Sequence, residues 1–211
     1  MTSGTMAAMA SQPGSGALRL QQLDASDPRA VCAYERAFYE AFARAKHNTQ
    51  VRRIWDWDDR ARRIRTRIPY ADQVVFVLPD DVPGDPGAGG EQDGAGIAVD
   101  TAGAINWRLA EHQVASLGFE PPPPLEGHCE ILVLFSRRDA DLTGLRTFLC
   151  LAAQQALDLN LKTADATCTD RLLPVYRHIG GQMIDQHTME GEQRTRLRFD
   201  LQQLAQLRHL I

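Results

Sequence analysis

Tyr176 stands four residues before Gly180 in the segment Thr169-Asp170-Arg171-Leu172-Leu173-Pro174-Val175-Tyr176-Arg177-His178-Ile179-Gly180-Gly181. A β-like run, Leu161 to Cys168, leads directly into it. Strand, short helix and glycine stop place the phenol at the open end of the strand, an arrangement that points to acyl transfer. Upstream, His128 and Glu130 begin the most strand-like run of the chain, His128 to Ser136, which delivers Ser136, Arg137 and Arg138 at its C-terminal end. Between Phe135 and Phe148, the residues Arg137, Arg138, Thr143, Gly144 and Arg146 could bind a pyrophosphate or phosphopantetheine phosphate through guanidinium groups and amides. The plainer alternative is a strand-to-helix turn with solvated arginines. Ser136 lacks the G-x-S-x-G elbow of an exposed nucleophile. Cys32, Cys129, Cys150 and Cys168 form no C-x-x-C pair and sit among apolar residues, as structural thiols do. The histidines are scattered without zinc-ligand spacing, so no metal is expected.

These groups need elements to hold them. Ala17 to Leu23 alternates like an edge strand, and Asp27-Pro28 reads as an N-cap followed by a first-turn proline. The helix that follows carries Val31, Tyr34, Phe38 and Phe42 on one stripe. A second helix is predicted over Trp55 to Arg65. Gln73 to Leu78 and Gly96 to Val99 read as strands of a meander, joined by a Pro/Gly/Asp-rich surface loop over 79–94. Ile105 to Phe119 is ambiguous, and Pro121 to Pro124 imposes an extended segment. After the His128 to Ser136 strand, Leu145, Phe148, Leu149, Ala152, Ala153 and Ala156 recur with helical period within Leu142 to Leu159. Asp170 to His178 is the next helix. Met183 to Gln186 and Thr195 to Asp200, joined around Glu190-Gly191, make a terminal hairpin.

The chain has 211 residues and a formal charge of -4. That length fits a single domain, here 17–211, after a disordered tail over 1–16 that lacks the pattern of a secretory signal. No apolar run is long enough to span a membrane, and a soluble, cytoplasmic protein is expected. Arg52, Arg53, Arg60, Arg62, Arg63, Arg65 and Arg67 lie near Trp55 and Trp57, a composition that can bind nucleic acid. The mild overall acidity and Asp56, Asp58 and Asp59 argue instead for a solvated face, or a surface for an acidic carrier or lipid headgroup.

The order of these elements, and the Glu130 to Ile184 region at motif level, resemble the GNAT superfamily of N-acetyltransferases. The resemblance implies an α/β (α+β) single-domain fold: a mixed, mainly antiparallel sheet with helices on both faces and a V-shaped split between two central parallel strands. In that family the turn after the long strand usually reads Arg/Gln-x-x-Gly-x-Gly/Ala around the donor pyrophosphate. Asp141, Gly144 and Arg146 take its defining positions here, and Thr169 stands where an asparagine often begins the later helix. With the Glu-Ile-x-Val-x-x-Ser-Arg character of Glu130 to Arg137, the chain is most similar to the long-chain N-acyl amino acid synthase and acyl-homoserine-lactone synthase branch.

That resemblance implies an N-acyltransferase with no tightly bound cofactor. Acyl-CoA, or a phosphopantetheine-borne acyl group on acyl carrier protein, is the co-substrate and a small-molecule amine the acceptor; a homodimer is admitted as an assembly. The amine attacks the thioester directly. Glu130 is the expected base, directly or through water, with His128 as a substitute, and Tyr176 the expected hydrogen-bond donor to the departing thiolate. Leu134, Phe135, Ser136, Arg137, Arg138, Thr143, Gly144, Arg146 and Thr169 are the expected donor-binding positions. Glu130 paired with an arginine and Tyr176 as a core residue are the competing readings. A catalytically silent thioester-binding protein and an ordinary acetyltransferase stand as alternatives.

Overall fold

The computed structural model describes residues 20–43, 49–70, 73–77, 97–102, 117–120, 125–136 and 142–207. The expected tail over 1–16, the loop over 79–94, most of Ile105 to Phe119, and Arg137 and Arg138 lie outside these residues.

Seven strands form one sheet in the order β1-β4-β5-β6-β7-β9-β8. They are β1 (Gln21–Gln22), β4 (Gln73–Val77), β5 (Ile97–Ala102), β6 (His128–Ser136), β7 (Thr163–Thr169), β8 (Gln182–Met189) and β9 (Glu192–Asp200). Among the described residues, only β6 and β7 pair parallel; the other neighbours are antiparallel. Helix α1 (Pro28–Ala43) covers one face, and α3 (Leu142–Asp158) with α5 (Leu201–Gln206) covers the other. The mixed, mainly antiparallel sheet with helices on both faces is therefore present.

Local chemistry explains the boundaries. Asp27 Oδ1 accepts from the Arg29 amide at 2.8 Å before Pro28 begins α1, and Asp200 Oδ1 accepts from the Gln203 amide at 3.0 Å before α5. Glu190 and Gly191 both have positive φ, 52° and 82°, as the tight turn between β8 and β9 requires. The apolar stripe of α1 builds an aromatic cluster in which Phe38 stacks on Phe135, centroids 5.0 Å apart and planes 3° apart.

The predicted helix over Trp55 to Arg65 is corrected. Helix α2 (Thr49–Ile54) stops before Trp55, and the chain makes a hairpin from β2 (Asp56–Asp58) and β3 (Arg63–Arg65). Its apolar residues follow period two: Ile64 and Thr66 are buried while Arg65 and Arg67 are exposed. Asp58 Oδ1 caps the turn through the Ala61 amide at 2.8 Å. Arg52 stacks over Trp57 at 4.1 Å and pairs with Asp59 at 3.0 Å, Arg67 pairs with Asp56 at 3.2 Å, Arg53 pairs with Glu190, and Arg63 reaches the buried Glu35. Carboxylates thus hold much of the arginine-rich segment, as a salt-bridged surface would have it.

Candidate functional site

Strands β6 and β7 stay in register for four pairs, His128↔Thr163 through Ile131↔Ala166, and then diverge. A bulge coincides with the divergence. Val133 pairs with Asp100 of β5 but Ile131 pairs with the next residue, Thr101, so Leu132 is the extra residue. Side-chain alternation shifts there: Ile131 and Leu134 pack on the α3 side, whereas Val133 and Phe135 join the α1 cluster. The diverging strands enclose a cleft of about 900 Å³. Ile131, Leu132, Val133 and Leu134 form one wall, Ala166, Thr167, Cys168 and Thr169 the other; Phe42, Ile54 and Trp55 close one end, and Tyr176 and Leu172 line another part.

Tyr176 reaches the cleft through α4 (Leu173–His178), which has Pro174 in its first turn. The helix ends in a paired C-terminal hydrogen bond: Gly181 N donates to Tyr176 O at 2.9 Å and Gly180 N to Arg177 O at 3.1 Å. Gly180 has φ +96°, and a Cβ on Gly181 would meet Tyr176 O at 2.8 Å and Phe199 Cζ at 2.9 Å. Two glycines therefore fix the tyrosine against Phe199. Burial holds the phenol well above its ordinary pKa, with the neighbouring Cys168 thiol adding to the effect, so the hydroxyl is a proton-bearing donor at neutral pH. Burial likewise pushes the Cys168 thiol up to about 11, against the lowering effect of Arg194, which disfavours a thiolate nucleophile.

Of the remaining expected donor-binding residues, Leu134 and Thr169 line the cleft. Ser136 is the last residue of β6, and Thr143 and Gly144 lie in the first turn of α3. Phe135 instead fills the aromatic core under α1. Arg146 turns to the end of α5, donating from Nη2 to Leu207 O at 3.0 Å, where a cation meets the negative end of the helix.

Glu130 and His128 belong to a buried charge cluster behind the cleft wall. On the sheet face opposite α3, Asp165 receives Arg196 Nε at 2.9 Å and Arg198 Nε at 2.7 Å. His128 Nδ1 lies 2.9 Å from Thr163 Oγ1, and its Nε2 lies 3.6 Å from Asp165 Oδ2, too long for a hydrogen bond. Burial raises the Asp165 pKa, but His128 and the Arg198 and Arg196 guanidinium groups outweigh it and hold the carboxyl well below its usual range. Glu130, its direct partner across β6 and β7, is driven the other way by burial and then by the Asp165 charge. Glu130 is 1% exposed, its Oε2 has no hydrogen-bond partner among the described residues, and it does not line the cleft. Among the described residues, the cleft-lining carboxylates are Asp170 and Glu192, and the cleft-lining cations Arg171 and Arg194. The sequence reading did not single out Glu192 or Arg194; alternate charged positions on β9 were its only signal.

A seven-stranded sheet that splits between two parallel central strands, with a tyrosine-bearing helix after the second, defines a recognisable class of fold. No family model matches the chain, and no curated protein sequence matches it. Among solved structures, the CoA-dependent acyl-homoserine lactone synthase MesI aligns with TM-score 0.64 at 11% identity, over 91% of this chain and 94% of its own. The acyl-homoserine lactone synthase LasI aligns with TM-score 0.64 at 10% identity, over 89% and 91%. A probable acetyltransferase from Staphylococcus epidermidis gives 0.54 at 11%, over 86% and 98%. The chain has a GNAT-like fold, related to that of the acyl-homoserine lactone synthases.

Proposed function

We propose that this chain is an acyltransferase that moves an acyl group from a thioester donor, long-chain acyl-CoA or acyl carrier protein, to the amine of an amino acid or small metabolite. The cleft between β6 and β7 carries the reading. Its walls are largely aliphatic and aromatic, and each methylene of an acyl chain gains about 0.8 kcal/mol when it leaves water for such a surface. MesI and BjaI, which share the fold, are CoA-dependent acyl-homoserine lactone synthases, and BjaI is seen with isopentyl-CoA.

In this scheme the donor thioester lies along the diverging edge of β6, with backbone groups there polarising its carbonyl. The first turn of α3, containing Thr143 and Gly144, receives the donor phosphates on its amides, joined by Arg137 and Arg138. The amine nitrogen attacks the carbonyl carbon; the C–N bond forms as the C–S bond breaks, and the thiolate departs. One amine proton must leave, and the thiolate takes one up. Tyr176, neutral and at the cleft, is the donor to the thiolate. Glu192 and Asp170 are better placed than Glu130 to accept the amine proton, since Glu130 sits behind the wall and burial favours its neutral form. Arg60, Arg62 and Arg65, exposed on the β2–β3 hairpin, offer an acidic carrier a docking surface.

The test is thiol release from acetyl-CoA, lauroyl-CoA, palmitoyl-CoA and acyl carrier protein against a panel of amines. Turnover with the long-chain or carrier-borne donors is expected, and preference for acetyl-CoA would make the chain an ordinary acetyltransferase. Donor binding without turnover would identify a silent thioester-binding protein, and absence of both would reject the reading.

A further inference from the structure

We propose that the outer edge of β8 is a self-association surface, on which a second copy of this chain adds its own β8 antiparallel across a two-fold axis. The dimer stands apart from the acyltransferase reading, since β8 does not line the cleft.

The two edges of the sheet differ. β1 ends it with Gln21–Gln22 alone, whereas β8 ends it with Gln182–Met189. A long edge presents a row of unpaired N–H and C=O groups, and chains guard such edges with lysine, proline or a bulge. β8 contains no lysine, arginine or proline. Its bulge lies at Ile184, between Met183, which pairs with Leu197, and Asp185, which pairs with Arg196, so the stretch from Asp185 to Met189 stays regular. Every residue from Gln182 to Thr188 is exposed. Met183 and Ile184, 55% and 46% exposed, are the most exposed large apolar side chains among the described residues.

Symmetry selects the occupant. In a two-fold dimer the same strand meets itself, and directly opposite residues share a face, so the axis passes through a residue of β8. On Asp185 it would set two carboxylates against each other, and on His187 two imidazoles, with Glu190 brought opposite Ile184. On Gln186 every pair is complementary. Gln186 meets its own copy, amide to amide, Asp185 meets His187 of the second copy, and Ile184 meets Thr188 as a β-branched pair. Asp185 and His187 lie on one face, opposite Arg196 and Arg194. Among the described residues the Asp185 carboxylate bonds the Gln186 amide alone, at 2.7 Å. His187 rests against Phe119, ring centroids 6.2 Å apart, and stays exposed. This self-complementary order of acid, amide and imidazole singles out a second copy over a foreign strand.

Sedimentation velocity of the full chain over about 1 µM to 1 mM brackets the Kd on the order of 10–100 µM expected of one strand-length contact, smaller than a standard interface. His187→Asp sets Asp185 against a carboxylate twice and should weaken the dimer at least about tenfold. Adding Asp185→His to the same chain restores the opposite pairs and should bring the dimer back. Ile184→Lys, a solvated edge lysine, should leave a monomer. Gln186→Cys lies on the axis and should cross-link to its own copy with a short bifunctional maleimide, while wild type should not. Melting temperatures identify any variant that fails to fold. A monomer at every concentration would leave the edge to a strand of another protein and overturn the proposal. A dimer that no edge variant weakens, a charge swap that restores nothing, or a Gln186→Cys chain that does not cross-link would overturn it as well. None of these readings uses thiol release, so a failed acyltransferase reading leaves the dimer standing.

Discussion

The same two strands behave in opposite ways along their length. From His128 to Ile131, β6 is laced to β7 by a regular ladder, and Asp165, Arg196 and Arg198 form a largely buried ion cluster beside it. From Leu132 onward the strands part around an apolar cleft. The closed half resists opening because its charges satisfy one another. The open half is held apart by the bulge at Leu132 and by Tyr176 on its glycine-anchored helix.

The largest effect should come from breaking the closed half. Asp165→Ala leaves Arg196 and Arg198 buried or half-buried without their anion, and should cost about 3–5 kcal/mol, read from urea unfolding. The pH dependence has a definite sign. The folded carboxyl is depressed, so its stabilisation is present above the unfolded value of about 3.9 and is lost as pH falls below it. Wild type should therefore weaken in acid, and Asp165→Asn, already weaker, should show a flatter acid limb.

Next in size is the open half. Tyr176→Phe should lower kcat by roughly 10–100-fold for loss of a thiolate-side donor, with little change in melting temperature. An equally large loss of stability with no kinetic effect would make Tyr176 a packing residue.

The smallest effect should separate the two paired carboxylates. Glu130 is raised, so the stability it contributes is present below the unfolded value of about 4.3 and declines as pH rises through the folded value. Glu130→Gln removes that decline, and its stability relative to wild type should grow from pH 5 to pH 8. A variant uniformly weaker at every pH would instead mean that Glu130 is ionised and paired in the fold.

Much of this architecture was legible from local patterns. The Asp27-Pro28 cap, the Glu190-Gly191 turn and the nine-residue β6 each rest on near neighbours in sequence. What was not legible depends on remote partners. The bulge at Leu132 arises in pairing with β5, and it sends Phe135 to the α1 core and leaves Leu134 on the cleft. Arg146 is drawn to the end of α5, a helix the pattern reading did not foresee. On the predicted helix Trp55 and Ile64, nine residues apart, would face opposite ways, whereas the hairpin lets both join the cluster under α1. The place of Tyr176 at the cleft was legible from its nearby glycines, whereas that of Arg194 depends on the split between β6 and β7.

The central claim is that the gap between β6 and β7 holds an acyl thioester. Thr167 lines that gap on β7, opposite Arg196, and is half-buried, so Thr167→Phe adds bulk to the gap at the edge of the ion cluster. The most direct measurement is the affinity of lauroyl-CoA for wild type and Thr167→Phe, both checked for an unchanged melting temperature. The account predicts tight binding to wild type and at least tenfold weaker binding to the plugged variant. Equal affinity for the two would place the acyl chain elsewhere and contradict it.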